Sequence, residues 1–445
     1  MSTRVEFFGG LTEIGASKIL VSTDQARALL DIGLPMGDGS DLFGGLVEER
    51  PGHELADRLR VGQAPQLPGI WDPSQLDEDS PLRARDPRPT ALFISHAHLD
   101  HIGMAGMVDH NISMFASADT VRLCEALAIS GHRFLGSEPI IQPIAGAVRI
   151  GDLEVESVPV DHDVVGACGY LVHTPDGTLA YTGDLNFHRN EAVNSRAFAE
   201  RVRGAKMLVT ETTMLSFDPV PGRKTRTEDE VLELVRQACV EAPGLALISC
   251  YERDVDRCTA LVRAAREWGR TVVWPAGTAV LLTAMGCPGI LTWDETRPQR
   301  ASQVATLQAA QSQGVSCDTV SLAQVLADPS AFLVQLDDRD MPAMLDLPLS
   351  ASTPWIHAQG EPLGPFMAGW APFQAWLGQF GVPTLEVGSS GHASIEDLTG
   401  FVEGTGAQLV VPLHGRHPER LRCPEPILLP EYGAVYALDG CRLDS

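Results

Sequence analysis

The chain has 445 residues, 44% of them hydrophobic, and carries 33 basic against 58 acidic side chains for a formal charge of −25. The length is more than one core usually organises, so two domains are expected, and the apolar share excludes a disordered chain. The acidity excludes an electropositive coat over the whole molecule but not a local groove, because all basic residues except Lys18, Lys206 and Lys224 are Arg.

The opening Met1-Ser2-Thr3-Arg4-Val5-Glu6 has no apolar signal core, and no stretch approaches the ~20 apolar residues of a membrane span, so a cytoplasmic protein is expected. Arg4–Phe8 reads as a strand, Gly9-Gly10 as a turn, and Lys18–Ser22 and Ala28–Ile32 as further strands. From Gly33 to about Arg88 the chain is rich in Gly, Pro and Asp, with one helix-like stretch near Glu48–Leu59 and a flexible Gly37-Asp38-Gly39. Thr90–Ile94 is a short buried strand, and a helical pattern runs from Ile102 to Val108. Leu153–Val160, Gly169–His173 and Thr178–Thr182 read as strands, the last two joined by the turn Pro175-Asp176-Gly177.

From Leu208 the rhythm changes. Met207–Val209, Leu245–Ile248 and Thr271–Trp274 alternate as strands with helices over Glu228–Glu241 and Asp254–Trp268, the mark of a parallel α/β unit. A variable middle occupies Arg297–Pro348. Thr384–Val387, a helix at Ile395–Gly404 and a strand at Leu409–Pro412 return to the earlier style. The nine cysteines are dispersed without a Cys-x-x-Cys pair, which argues against a thiolate zinc site or a disulfide framework.

The chemistry concentrates in Ser95-His96-Ala97-His98-Leu99-Asp100-His101. On a loop leaving a strand, His96 and His98 can point to one side, while Asp100 and His101, where the chain turns into a helix, can face a second position. A lone His-x-His says little. Three histidines and an aspartate so close together, between an apolar strand and Gly103, point to two metal ions with ligands at about 2.0–2.2 Å. His162 in Val-Asp-His-Asp, Asp184 in Tyr-Thr-Gly-Asp and His414 in Pro-Leu-His-Gly each follow an apolar strand, where active sites of layered α/β folds collect. These seven suffice for two ions with Asp184 bridging, a pair suited to activating water for an in-line displacement at phosphorus.

Ser-His-Ala-His-Leu-Asp-His resembles the signature of the metallo-β-lactamase fold. Gly9-Gly10-Leu11-Thr12-Glu13-Ile14-Gly15, Tyr181-Thr182-Gly183-Asp184 and Ser390-Gly391-His392-Ala393-Ser394 narrow the resemblance to its β-CASP branch, closest to ribonuclease J and its shorter relatives. The 22 residues from His392 to His414 match the interval of that branch. The resemblance implies a metallo-β-lactamase αββα sandwich with an inserted α/β β-CASP domain: residues 1–213 the first part of the sandwich, 214–384 the insert, 385–445 the return. It implies that His96, His98 and His162 hold one ion, that Asp100, His101 and His414 hold the other, and that Asp184 lies between. Glu211 falls where the family places its first diagnostic acid, and His392 where a histidine acts on the scissile phosphate or leaving group. An imidazole beside a carboxylate keeps its proton more readily and can donate it to a departing oxygen. Ser390, Gly391 and Ser394 are candidates to hold a substrate phosphate. A histidine at the 414 position goes with RNA-acting members, so single-stranded RNA is the implied partner and no membrane is.

Departures from the family pattern are Thr212-Thr213-Met214 after the acid, Ser352–His357 before Gln359-Gly360-Glu361-Pro362, and Arg416 after His-Gly; they bear on substrate preference. The chain ends 31 residues after His414, so the extra C-terminal domain of longer relatives is not expected, and a homodimer stays open. The leading expectation is an RNA-hydrolysing two-metal phosphodiesterase, exonucleolytic from the 5′ end or endonucleolytic, with Zn2+ ahead of Mn2+ as cofactor. The alternatives are a single-strand DNA nuclease of the same family and a non-catalytic scaffold in an RNA-processing complex. Tyr251-Glu252-Arg253 and Arg257 read equally as phosphate or base contacts and as a solvated helix start. His188 with Arg189 lies near enough to Asp184 to touch substrate. His53, His110, His132, His173, His357 and His417 read as surface or hydrogen-bonded residues, and Asp337-Asp338-Arg339-Asp340 as a solvated turn.

Overall fold

The computed structural model describes residues 3–36, 41–43, 47–218, 225–294 and 301–443; Gly37-Asp38-Gly39 lies outside them. The chain forms two compact units. Of the described residues, the first takes those up to Val121, those from Phe134 to 218, and those from Gly391 onward; the second takes Arg122–Arg133 and those from 225 to Ser390.

Two sheets face each other in the first unit. One runs, from edge to edge, Val435–Tyr436, Arg4–Phe7, Ile19–Ser22, Arg27–Leu30, Thr90–Phe93, Ser113–Ala116 and Ile141–Pro143. The other runs Val410–Leu413, Met207–Glu211, Gly177–Tyr181, Cys168–Thr174, Leu153–Pro159 and Ala147–Ile150. Inward side chains of both build one core, with Val5, Phe7, Ile19, Val21, Ala28 and Leu30 meeting Val155, Tyr170, Val172, Leu179, Val209 and Val411. Arg4–Phe7 shows why: Val5 and Phe7 are fully buried while Arg4 and Glu6 are not, the period-two pattern of a half-covered strand. Helices Val193–Arg201 and Ile395–Thr405 join through Phe198 and Phe401, whose ring centroids lie 6.3 Å apart. This is the layered metallo-β-lactamase framework.

The helical pattern expected over Ile102–Val108 breaks into a single turn, Leu99–Ile102, and a 3-10 turn, Ala105–Met107. The reason is hydrogen bonding elsewhere. The carbonyls of Asp100 and His101 accept from the amides of Ser17 and Ile32, and the Met104 amide donates to Ile32, so a longer helix has no bonds left to close. Gly33 permits this approach, since a Cβ there would sit 1.5 Å from the Asp100 carbonyl oxygen.

The second unit is built on an all-parallel sheet ordered Asp318–Val320, Leu291–Trp293, Thr271–Trp274, Phe332–Gln335, Ala246–Cys250, Trp355–Ala358 and Thr384–Glu386. Helix Glu228–Glu241 forms as read, opened by a capping box in which Thr227 and Glu230 satisfy each other's amides. Helix Ala276–Ala284 was not legible because nearly all its side chains are buried, which erases the amphipathic period. Thr384–Glu386 pairs with Trp355–Ala358, so the unit runs through Ser390 and beyond the expected boundary at 384. Among the described residues no helix is long and apolar enough to cross a membrane.

Candidate metal centre

The carboxyl ends of both sheets of the first unit deliver the site. Strand Thr90–Phe93 leads into His96, His98, Asp100 and His101; Leu153–Pro159 leads to His162, Gly177–Tyr181 to Asp184, Met207–Glu211 ends on Glu211, and Val410–Leu413 leads to His414. His96, His98, His162 and Asp184 form one group of donor atoms and Asp100, His101, Asp184 and His414 another, with all atoms of a group within 4.8 Å of one another. Asp184 belongs to both. All seven are buried except His98, which is partly exposed.

Hydrogen bonds on the outer side of each ring decide which nitrogen faces inward. Ser95 Oγ donates to Asp31 Oδ2 and accepts from His96 Nδ1 at 2.9 Å. His101 Nδ1 donates to Asp31 Oδ2 at 2.7 Å, and His162 Nδ1 donates to the Gly391 carbonyl at 2.7 Å. Thr213 Oγ1 donates to the His414 carbonyl and accepts from His414 Nδ1 at 2.8 Å. With Nδ1 so occupied, Nε2 of these four rings converges on Asp184 Oδ2: His101 at 3.1 Å, His414 at 3.5 Å, His96 at 3.6 Å and His162 at 3.8 Å. His98 turns Nδ1 inward instead, 3.3 Å from His162 Nε2.

Those separations test the fit to metal. Tetrahedral ligands on bonds of 2.0–2.2 Å stand about 3.3–3.6 Å from one another, close to the spread observed. His96 Nε2 and Asp184 Oδ1 are buried and make no hydrogen bond among the described residues, a costly state unless a cation occupies the space between them. Burial and the neighbouring imidazoles hold His96 well below the ordinary imidazole range, and burial pushes His98 down to about 3, so both rings are neutral and able to ligate. Burial opposes a charge on His101 too, but Asp184, Asp100 and Asp31 outweigh it and raise its pKa well above the usual value. The negative potential that draws a proton there draws a divalent cation equally. The residues present fit two ions.

Beside this group stands an acid–imidazole pair. Glu211 accepts from the Thr213 amide at 2.8 Å and from the Ala393 amide at 3.1 Å. His392 Nδ1 lies 3.6 Å from Glu211 Oε2 and 3.8 Å from Asp184 Oδ2. Burial works against its charge, but Glu211 and Asp184 prevail and lift the His392 pKa to about 10. Its ring is still partly exposed and able to reach a substrate.

Of the expected phosphate-binding residues, Gly391 spends its carbonyl on His162 and Asn186. Ser394 is the N-cap of helix Ile395–Thr405: its hydroxyl accepts from the Asp397 amide and donates to the Asp397 carboxylate. Ser390 closes the second unit. Arg257 is neither a phosphate reader nor solvated. It is buried in the second unit, gripped by Glu228 at 2.7 Å and by the Ala358 carbonyl. His132 pairs with Glu252, His173 with Thr178, and His357 with Glu386 and the Pro362 carbonyl, all hydrogen-bonded as expected. Asp337 caps the turn that follows it.

Sequence reasoning missed three residues. Asp31 gathers four bonds, from the Ser95 amide and hydroxyl, His101 Nδ1 and the Tyr181 hydroxyl at 2.6 to 2.7 Å. Thr213, read only as a departure from a family pattern, orients His414. Asp163 lies 3.2 Å from His162 Nε2. The only advance signal for Asp31 was an acid inside the otherwise apolar run Ala28–Ile32.

Comparison with known proteins agrees with this geometry. Residues 68–245 match the family model described as a β-lactamase superfamily domain. Ribonuclease J of Pyrococcus abyssi is 22% identical over 76% of this chain and 77% of its own length. Ribonuclease J of Sinorhizobium meliloti is 26% identical over 50% of this chain, which spans only 40% of that relative. A UPF0173 metal-dependent hydrolase of Pyrobaculum neutrophilum is 32% identical over 27% of this chain and 53% of its own length. A crystal structure of an Enterococcus faecalis V583 protein of unknown function superposes with a TM-score of 0.80 at 25% identity, covering 98% of this chain and all of that one. With two facing sheets whose ends converge on a histidine–aspartate cage, and with these likenesses, the chain is a metal-dependent hydrolase that carries a β-lactamase superfamily domain over residues 68–245 and resembles ribonuclease J.

Proposed function

We propose that this protein is a two-metal phosphodiesterase that hydrolyses RNA, as a 5′-exonuclease, an endonuclease or both. The observation that carries the reading is the Glu211–His392 pair set against the bridging Asp184: a proton donor beside a donor set for two cations. A hydrolase acting on a polynucleotide needs a nucleophilic water on one side of phosphorus and a proton for the oxygen leaving on the other.

Two divalent ions in the cage, Zn2+ or Mn2+, would make water nucleophilic near neutral pH and offset charge on the phosphate. The chain's own residues do the rest. Asp100 and Asp184 turn acceptor oxygens into the same space and orient the attacking water. His392 holds a proton and delivers it to the leaving oxygen. Glu211, pinned by two backbone amides, keeps that imidazole charged and in place. The intact set of seven ligands speaks against a silent scaffold. The ribonuclease J names of the relatives favour RNA over single-stranded DNA.

The test is to incubate purified protein with 5′-monophosphorylated RNA, 5′-triphosphorylated RNA and single-stranded DNA, with and without chelator, and to size the products. Chelator-sensitive cleavage of RNA with DNA left intact supports the proposal. Cleavage of DNA alone, or activity indifferent to chelation, refutes it.

A further inference from the structure

Asp163 is unexplained by the seven-residue cage, although it follows His162 directly. Its Oδ1 lies 3.2 Å from His162 Nε2 and 3.5 Å from His98 Nε2, and makes no hydrogen bond among the described residues. The approach to His162 is the informative one. That ring gives its Nδ1 proton to the Gly391 carbonyl, which leaves Nε2 facing Asp163. A carboxylate oxygen 3.2 Å from that nitrogen, both shielded from water, stands close to the separation of two ligands on one ion.

Two neighbours show that this placement is specific. Asp161, two residues earlier, is turned away and satisfied: its carboxylate accepts from the Ser195 amide at 2.9 Å and from Asn194. Gly391 makes the room for Asp163, since a Cβ at position 391 would stand 2.3 Å from Asp163 Oδ2 and 2.6 Å from Oδ1. Charge points the same way. An ion among His96, His98 and His162 would face three imidazoles and only a shared Asp184, whereas the other half of the cage has Asp100 to itself.

We propose that Asp163 is an eighth ligand of the centre, supplying a carboxylate oxygen to the ion held by His96, His98 and His162. The inference rests on the two-ion reading above. Its consequence is an asymmetric pair in which the histidine-rich half is both retained more tightly and less electrophilic than three imidazoles alone would make it.

The test is titration of metal-free protein with Co2+, read by its visible absorption and by competition with a chromophoric chelator. The wild type should take up two equivalents. Asp163→Asn should weaken one of them at least tenfold and change the intensity and position of its bands, leaving the other equivalent as it was. Gly391→Ala should reproduce that spectral change by displacing the carboxylate, and should add nothing in an Asp163→Ala background; this arm carries the test if Asp163→Asn fails to fold. Two tight equivalents with wild-type bands in Asp163→Asn overturn the proposal, as does weakened binding with unaltered bands. If the wild type itself binds fewer than two equivalents, the two-ion reading fails and Asp163 falls with it.

Discussion

Asp31→Asn is the substitution whose effect follows most directly from the geometry. Asp31 has φ 57°, a left-handed conformation that Asn also adopts readily, so the backbone gains no strain. All four partners of its carboxylate are donors: the Ser95 amide on Oδ1, and the Ser95 hydroxyl, the Tyr181 hydroxyl and His101 Nδ1 on Oδ2. An amide must put its NH2 group on one side or the other. Placed toward Oδ2 it opposes three donors; flipped, it opposes one, the Ser95 amide. The flip wins, at a cost of about 1–3 kcal/mol for one buried donor left unsatisfied, and the remaining bonds lose the strength a charged acceptor gave them. Because two of those bonds orient His96 and His101, metal affinity should also fall by about 10–100-fold. Urea unfolding of the metal-free protein measures the first effect, and zinc competition against a chromophoric chelator the second. Tyr181→Phe is the milder control: it removes one donor and leaves Asp31 three others. An Asp31→Asn protein with unchanged midpoint and unchanged zinc affinity would refute the assignment of Asp31 as the anchor of this cage.

Asp184→Ala removes the carboxylate shared by both donor groups, so elemental analysis should find neither ion retained and hydrolysis should vanish; a variant holding two equivalents defeats the bridging role. His392→Gln should keep both ions yet lose about 10²–10⁴-fold in kcat, the usual worth of general acid–base assistance, and a variant with near-normal kcat removes His392 from the mechanism. Lys18 is fully enclosed, donates to the Ala16 carbonyl, and is lowered by burial to about 8 from 10.5. Folded protein therefore sheds this proton before unfolded chain does, and stability relative to Lys18→Met should rise with pH between about 8 and 10.5 by up to about 3 kcal/mol, seen as converging or crossing urea midpoints; a constant difference would contradict it. With a net charge of −25, RNA cleavage should depend on Arg side chains gathered along one channel and so fall steeply with added salt, whereas a flat salt response counts against a polynucleotide substrate.

The parts of this centre legible in the sequence are those where chemistry and local pattern coincide. Ser95–His101 compresses four donor side chains into one turn after an apolar strand, and His162, Asp184 and His414 each sit directly past a run that can only be a buried strand. Asp31 looked like any acid closing a strand. Its role appears only when Arg27–Leu30 pairs in parallel with Thr90–Phe93, with Leu30 opposite Phe93, which carries Asp31 alongside Ser95. No spacing rule encodes that register. Thr213 was equally hidden, because it meets His414 through the parallel pairing of Met207–Glu211 with Val410–Leu413 across some two hundred residues. In the second unit the failures have another source. Arg257 lies on an amphipathic helix whose polar positions suggested solvent or phosphate, but Glu228 and a strand-end carbonyl claim it from elsewhere in the chain.

The same long-range contacts explain why the cage need not wait for metal to take shape. Asp31 and His414 both hold left-handed backbone, at φ 57° and 59°, a state costing a non-glycine residue about 1–3 kcal/mol unless its surroundings impose it. Here they do. The Asp31 amide donates to the Phe93 carbonyl, the His414 amide donates to the Gly10 carbonyl, and each side chain is then fixed from behind by Ser95 or Thr213. The loop Gly9–Gly15, which supplies no ligand, thus matters for what it does to His414. Strain at two points of the cage, offset by bonds to rigid strands, means the donor atoms face one another before any cation arrives. Donor atoms held in this way lose little freedom when a cation binds, which favours binding.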